Sequence, residues 1–174
     1  EQDIFSSVTN AVRNRAPWLL VNLFTAGTAS YVASRFDGTV QHIVVLAFLM
    51  SIVAGIGGNS GNQTMTLIIR ALALGQITSS NVQDLVRKEL AVTSLIGLGG
   101  GLIAAVFAYV ISGSASLGAV MMASMFINML VGAGMGMLVP MVREKMGKDA
   151  AVGSSVLLTF ATDTFGFLIF LGLA

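Results

Sequence analysis

Residues 43–74 read IVVLAFLMSIVAGIGGNSGNQTMTLIIRALAL, an apolar stretch whose centre is rich in glycine and carboxamide side chains. At about 1.5 Å per residue, a helix over this stretch is longer than the ~30 Å hydrocarbon core of a bilayer. The glycines and carboxamides therefore predict a tilt, a kink or a break at residues 55–63. Four other stretches are apolar and long enough to cross a membrane: about 18–34, 90–111, 117–142 and 150–174. This pattern predicts an all-α membrane protein with five transmembrane helices.

The composition of the chain points to the same class. Of its 174 residues, 55% are hydrophobic and only 10% are charged, whereas soluble domains carry about 25% charged residues. Cysteine is absent from the sequence, which excludes disulfide frameworks, zinc–cysteine clusters and iron–sulfur sites. We expect residues 1–16 to form an amphipathic juxtamembrane segment and residues 17–174 to form one five-helix transmembrane pore domain, with Pro17 in the first turn of its first helix.

The basic residues predict the orientation of the chain in the membrane. With five spans, only Arg35 falls on one side. The other side carries eight of the nine basic residues: Arg13, Arg15, Arg70, Arg87, Lys88, Arg143, Lys145 and Lys148. Because cytoplasmic loops are enriched in lysine and arginine, we expect a multi-pass protein of the cell (inner) membrane, with a cytoplasmic N-terminus and an external C-terminus.

One acidic residue, Asp163, lies inside a predicted span, about 20 Å along its axis. A carboxylate at the centre of a bilayer costs about 2.5–3.5 kcal/mol on insertion scales, and such residues usually mark a path for ions or protons. The alternative is a protonated residue that serves only in packing. Polar or small residues recur with Asp163 at helical spacing, namely Ser155, Thr159, Thr162 and Gly166. Such a stripe requires water or another polar helix, and Asn59, Asn62 and Gln63 of the second span offer one.

The charge of Asp163 favours a site shared by two chains. One carboxylate cannot neutralise a divalent cation, whereas a C2 homodimer with its pore near the axis brings two together. The neutral oxygen ligands around it suit a hard cation such as Mg²⁺, which commonly keeps several waters. Two rival interpretations are a soft Cu(I) site at Met121, Met125 and Met129, against which flexible packing is the simpler explanation, and an intramembrane hydrolase, which would need a histidine near Asp163.

Four motifs resemble the membrane domain of the MgtE family of magnesium channels: GGNSGNQ at residues 57–63, LIIRALALG at 67–75, LVP at 138–140 and TDTFG at 162–166. The resemblance implies a homodimer of five-helix protomers whose second and fifth helices line the pore at the dimer axis. It implies that Asp163 forms the central site for hydrated Mg²⁺ with the Thr159 carbonyl beside it. By the same matching, Gly55, Asn59 and Ser155 line the cytoplasmic part of the pore.

These observations together predict a non-enzymatic, Mg²⁺-selective pore that conducts the hydrated ion into the cytoplasm. A pore for another divalent cation (Mn²⁺ or Co²⁺) is the main alternative, and a membrane-embedded enzyme or an accessory subunit is a further one. Mg²⁺ is then the transported ion, and the expected partners are a second copy of the chain and the lipid bilayer, with no nucleic acid. The resemblance also implies cytosolic magnesium-sensing domains, including paired CBS domains, beyond the residues of this chain.

Overall fold

The computed structural model describes residues 8–35, 44–78 and 80–174. Within these ranges the chain forms five α-helices, which confirms the all-helical class: α1 (Val8–Ser34), α2 (Val44–Ala73), α3 (Val82–Ser112), α4 (Ala115–Lys145) and α5 (Ser154–Leu173). Of these helices, α2 to α5 are long and apolar enough to cross a membrane. The apolar part of α1, Leu19–Ala33, is shorter, so it stays a prediction that α1 is a further membrane span and brings their number to five.

Of the tilt, kink or break predicted for the second span, the break is wrong, because α2 is one uninterrupted helix from Val44 to Ala73. Inside a bilayer a broken helix leaves backbone N–H and C=O groups without partners, which costs several kcal/mol for each group. Glycine in a helix interior costs only about 1 kcal/mol relative to alanine. The continuous helix is therefore the better solution, and the glycines serve close contacts with α4.

Three helix ends differ from the sequence-based expectation. Pro17 lies inside α1 rather than in its first turn, since a helix continues across proline with the loss of one backbone hydrogen bond. Helix α3 begins at Val82 instead of near Leu90, so its first turns are polar. Helix α5 begins at Ser154, after Gly153 in the left-handed conformation. Of the predicted juxtamembrane segment, residues 8–16 belong to α1 and residues 1–7 lie outside the described residues, as do residues 36–38 of the turn after α1.

The long helix α4 lies at the centre of the bundle and packs against α2, α3 and α5, while α1 packs against α5. Three of the methionines of α4 recur at four-residue spacing, Met121, Met125 and Met129, and are buried in the core beside Leu49 and Phe170. Their burial among apolar side chains supports the packing interpretation of this stripe.

Helices α2 and α4 touch along their backbones. A methyl group at Gly61 would lie 2.7 Å from the carbonyl oxygen of Gly132, and a methyl group at Gly136 would lie 2.5 Å from the carbonyl oxygen of Gly61. Helices in lipid associate through such close contacts, because lipid is as apolar as their side chains. Gly132 and Gly136 of α4 therefore serve helix packing, and Gly57 and Gly61 of α2 are the glycines opposite them.

Candidate functional site

Helices α2 and α5 run antiparallel in a register that their contacts define. A methyl group at Gly61 would lie 2.7 Å from Leu158 Cδ1, and one at Gly58 would lie 3.3 Å from Thr162 Oγ1. A methyl group at Gly166 would lie 3.2 Å from the Cα atom of Ala54. Residue numbers thus fall along α2 as they rise along α5. In this register Asp163 stands at the height of Gly57, between Gly55 and Asn59. Gly55 and Ser155 thus lie on opposite sides of Asp163 along the helix axis, whereas the resemblance implies that both line the cytoplasmic part of the pore.

The five predicted site residues lie on one side of this helix pair. Successive residues in a helix are rotated by about 100°. On α2 the rotation leads from Gly57, which touches α4, through Gly58, which touches α5, to Asn59 on the side away from α4. On α5 the same step leads from Thr162 to Asp163, and in an antiparallel pair both steps turn toward the same side.

Residues on the same side of the pair, one or two helical turns from Asn59 and Asp163, complete a row that we call the α2–α5 strip. It consists of Gly55 and Asn59 on α2 and of Ser155, Thr159 and Asp163 on α5. At ~1.5 Å per residue the strip is about 15 Å long. The structure therefore brings all five predicted residues to one surface, although they come from opposite ends of the sequence.

Three of the five residues of the α2–α5 strip are exposed in the described part of the chain. Gly55, Asn59 and Ser155 are exposed, whereas Thr159 and Asp163 are half-buried. A methyl group at Gly55 would meet no atom within 4 Å. In the described part of the chain, the Asp163 carboxylate has no hydrogen bond or ion pair. Among these residues nothing competes for the carboxylate, so it can act on a ligand or on a second chain.

Asp163 lies close to the middle of its helix. Helix α5 has 20 residues and is therefore about 30 Å long, the thickness of the hydrocarbon core. Asp163 is about 13 Å from its first residue. The expected depth of about 20 Å was too large because it counted from residue 150, before the helix begins.

Thr162 does not share the face predicted for it. It is fully buried, and its hydroxyl donates to the carbonyl oxygens of Leu158 at 3.1 Å and Thr159 at 3.2 Å. The Thr159 carbonyl oxygen thus accepts a side-chain hydrogen bond in addition to its place in the helix. This occupancy favours contact between that carbonyl and the water shell of an ion over direct ligation.

The strip supplies one negative charge and several neutral oxygens. Among the described residues, no three His, Cys, Asp or Glu side chains converge on a point where they could hold a metal ion. A single chain therefore lacks the charge to compensate a divalent cation at this surface. Its chemistry fits weak binding of a hydrated hard cation, provided that a second carboxylate is supplied from elsewhere.

Two polar contacts between helices were missed by the sequence analysis. Asn128 of α4 is fully buried, and its Nδ2 donates to the Val53 carbonyl oxygen at 2.9 Å. Glu89, expected in a loop or flank, lies inside α3 and accepts a hydrogen bond from Thr64 Oγ1 at 3.3 Å. A carboxamide in the middle of an apolar span was the available signal for Asn128, since such a group is costly without a partner.

Comparison with known proteins identifies the family. A family model described as MgtE, a divalent cation transporter, matches residues 50–173. The magnesium transporter MgtE of Bacillus subtilis is 30% identical over 164 residues, which cover 94% of this chain and 36% of the relative. The magnesium transporter MgtE of Enterococcus faecalis is 28% identical over 173 residues, which cover 99% of this chain and 38% of the relative.

A third relative, the magnesium transporter MgtE of Thermus thermophilus, is 30% identical over 170 residues, which cover 92% of this chain and 35% of the relative. The chain spans little more than a third of the length of these relatives. They are named as transporters, so the family is a transport family and not an enzyme family. With its apolar helices and its family match over most of its length, the chain is a membrane protein that belongs to the MgtE family of divalent cation transporters.

Proposed function

We propose that this chain forms the Mg²⁺-conducting pore of a magnesium transporter, as a homodimer in which two α2–α5 strips face each other. The observation that carries the proposal is the Asp163 carboxylate, which lies at mid-helix on an uncovered polar surface and has no partner among the described residues. A bilayer disfavours such a group unless it faces water, an ion or another polar surface. The names of the curated relatives add support for Mg²⁺ as the ion.

Charge fixes the stoichiometry of the proposed pore. Two copies related by a two-fold axis place two Asp163 carboxylates on opposite sides of the path, and their combined charge equals that of one divalent ion. The uncovered strip supports this arrangement, because its polar groups otherwise face hydrocarbon. The partner of the strip is therefore a second copy of the same chain.

The ion passes with most of its water shell. Mg²⁺ gives up water reluctantly and is commonly held by one or two carboxylates. Along the strip, Asn59 and Ser155 provide neutral oxygens, while the Thr159 carbonyl already accepts from Thr162. The oxygens of the strip thus contact the water molecules of the ion, and Gly55 leaves room for them, since nothing approaches it.

The membrane potential sets the direction of transport, because an inside-negative potential drives a cation inward through a pore. The eight lysines and arginines on one side favour an orientation with the N-terminus in the cytoplasm. The resemblance implies that cytosolic magnesium-sensing domains with paired CBS domains regulate the pore. The curated relatives are long enough to contain such domains.

Ion flux through three variants tests the role of Asp163. The purified chain is reconstituted in liposomes that contain a magnesium-sensitive dye, and uptake is followed under an imposed membrane potential. Asp163→Asn keeps the size of the side chain and removes its charge. A unit charge at about 4 Å contributes about 4 kcal/mol at an effective dielectric constant of about 20, which is about a thousandfold in an equilibrium constant. Because Asp163 is half-buried and solvent screens part of this energy, we expect a loss of flux beyond about tenfold.

Asp163→Glu keeps the charge but narrows the path, so it should bind Mg²⁺ and conduct slowly. Thr159→Ala leaves the backbone carbonyl in place and should be mild. Asp84→Asn is the matched control, because Asp84 is an exposed carboxylate in the first turn of α3, away from the strip. Wild-type flux from Asp163→Asn would refute the proposal. Stronger competition by Mn²⁺ or Co²⁺ than by Mg²⁺ would show that one of these ions, and not Mg²⁺, is the preferred ion of the pore.

A further inference from the structure

The carboxamide of Asn128 occupies the point where three helices meet. It projects from the middle of α4, is fully buried, and donates from Nδ2 to the carbonyl oxygen of Val53 on α2 at 2.9 Å. Its Oδ1 and the hydroxyl of Ser124, one turn earlier on α4, have no hydrogen-bond partner in the described part of the chain. A half-satisfied carboxamide is costly in this environment, which makes its position informative.

Two glycines form the walls around this carboxamide. A methyl group at Gly166 on α5 would lie 2.8 Å from Asn128 Nδ2 and 3.3 Å from its Cγ. A methyl group at Gly57 on α2 would overlap the same nitrogen and would lie 2.8 Å from Cγ. The carboxamide is thus held between the backbones of α2 and α5, with room for no additional carbon on either side.

The carboxamide lies directly behind the α2–α5 strip. Gly57 stands at the height of Asp163, and Gly166 is one helical turn further along α5. Val53, which accepts the hydrogen bond, is one turn before Gly57 on α2. Any change in the position of Asn128 therefore moves the two backbones that carry the site residues.

We propose that Asn128 is a positioning residue of the ion path, which fixes the separation and register of α2 and α5 and so sets the position of Asp163. This inference rests on the proposed function of the strip. It extends that function to a residue that touches neither ion nor strip and acts through the backbones of Gly57 and Gly166.

An apolar residue would serve if this place were only part of the core. The adjacent core positions on α4 are filled by Met125 and Met129, which pack without needing a polar partner. A carboxamide differs because its hydrogen bond to the Val53 carbonyl is directional and fits one register of the helices. Single buried polar side chains of this kind fix register in helical assemblies at a cost in stability.

Flux and selectivity of three variants test the inference. Asn128→Leu keeps the branched shape and the number of non-hydrogen atoms of the side chain without its hydrogen bond, and Asn128→Ala removes both. We expect Mg²⁺ flux per folded protein to fall by about tenfold in each, with a changed ratio of Mg²⁺ to Co²⁺ uptake, because an interhelical hydrogen bond of this kind is worth about that factor. Ser124→Ala is the matched control, equally buried on the same helix, and should stay within about twofold of wild type.

A suppressor pair gives a second readout. Gly57→Ala alone should impair flux, because its methyl group overlaps the Asn128 carboxamide. Combined with Asn128→Ala, the same methyl group loses its overlap with the carboxamide and keeps only a 3.2 Å contact with the backbone carbonyl oxygen of residue 128, so the double variant should conduct better than Gly57→Ala. Additive losses in the double variant would contradict the contact on which the inference depends.

The outcomes separate this inference from the proposed function. If Asp163→Asn abolishes flux while the Asn128 variants keep wild-type flux and selectivity per folded protein, the positioning role is refuted and the pore proposal stands. A smaller folded fraction with unchanged selectivity would also refute it, since that result describes a purely structural residue. Wild-type flux from Asp163→Asn would refute the proposed function itself.

Discussion

Substitution of Gly61 by alanine should weaken the bundle, because its methyl group meets backbone on the facing helix. It would lie 2.7 Å from the Gly132 carbonyl oxygen and 2.7 Å from Leu158 Cδ1. The leucine methyl is the end of a flexible side chain and can rotate away. The carbonyl oxygen belongs to the backbone of α4 and moves only with that helix.

The size of the effect follows from the displacement that is needed. An ordinary contact begins at 3.4 Å, so α2 and α4 must separate by about 0.7 Å at Gly61. Overpacking of this kind costs about 1–3 kcal/mol, while replacing glycine by alanine in a helix contributes up to about 1 kcal/mol in the opposite direction. We therefore expect Gly61→Ala to lower the free energy of unfolding by about 0.5–2 kcal/mol.

The free energy of unfolding can be measured by titration with denaturing detergent in mixed micelles. Gly99→Ala on α3 is the matched control, since a methyl group there meets nothing within 4 Å and only the gain in helix propensity is left. Changes in the free energy of unfolding that have opposite signs in the two variants would support the backbone contact between α2 and α4. Equal stabilisation by both substitutions would refute it.

Three further outcomes are expected. Glu89→Ala should lower the free energy of unfolding of the purified protein by about 1 kcal/mol, whereas Glu89→Gln should be near wild type because its amide oxygen can still accept from Thr64. Equal losses of stability in both variants would show that the hydrogen bond contributes nothing. Reporter proteins fused after α1 and α3 should report an external location, and those after α2 and α4 a cytoplasmic one, since the reverse would contradict the orientation inferred from the basic residues. In liposomes this chain should conduct with little inhibition by Mg²⁺ on the cytoplasmic side, because a ligand shifts only an equilibrium between states that it binds differently; strong closure would reveal a sensor in the pore itself.

The all-helical class and four of the apolar helices could be predicted from hydropathy, whereas the ends of the helices could not. Polar residues before Leu90 suggested a loop, yet they form the first turns of α3, where a helix outside hydrocarbon tolerates charge. In the opposite sense, the apolar residues before Ser154 suggested helix, but Gly153 in the left-handed conformation ends the preceding loop. Apolar content indicates depth in the membrane, and it does not by itself indicate where backbone hydrogen bonding starts.

The site residues could be predicted in part for an energetic reason. Asp163 was identified because a lone carboxylate in an apolar span has a large cost that function must offset. Asn128 was overlooked because helical spacing alone does not tell which neighbour a buried carboxamide faces. The role inferred for Asn128 depends on its contacts with Gly57 and Gly166, which belong to two other helices and lie next to it only in the folded chain.

The glycine-rich centre of α2 serves two faces of one helix, which explains why it is continuous. Gly57 and Gly61 approach α4, while Gly55 and Asn59 belong to the uncovered strip. Only a regular helix, with about 100° between successive residues, separates these pairs onto different sides at the same depth. A break at this point would have exposed the carbonyl groups to an ion, but it would also have removed the packing against α4 that holds the strip in place. The sequence GIGGNSGNQ is thus consistent with a pore wall made of side chains and small gaps, supported from behind by close contact between backbones.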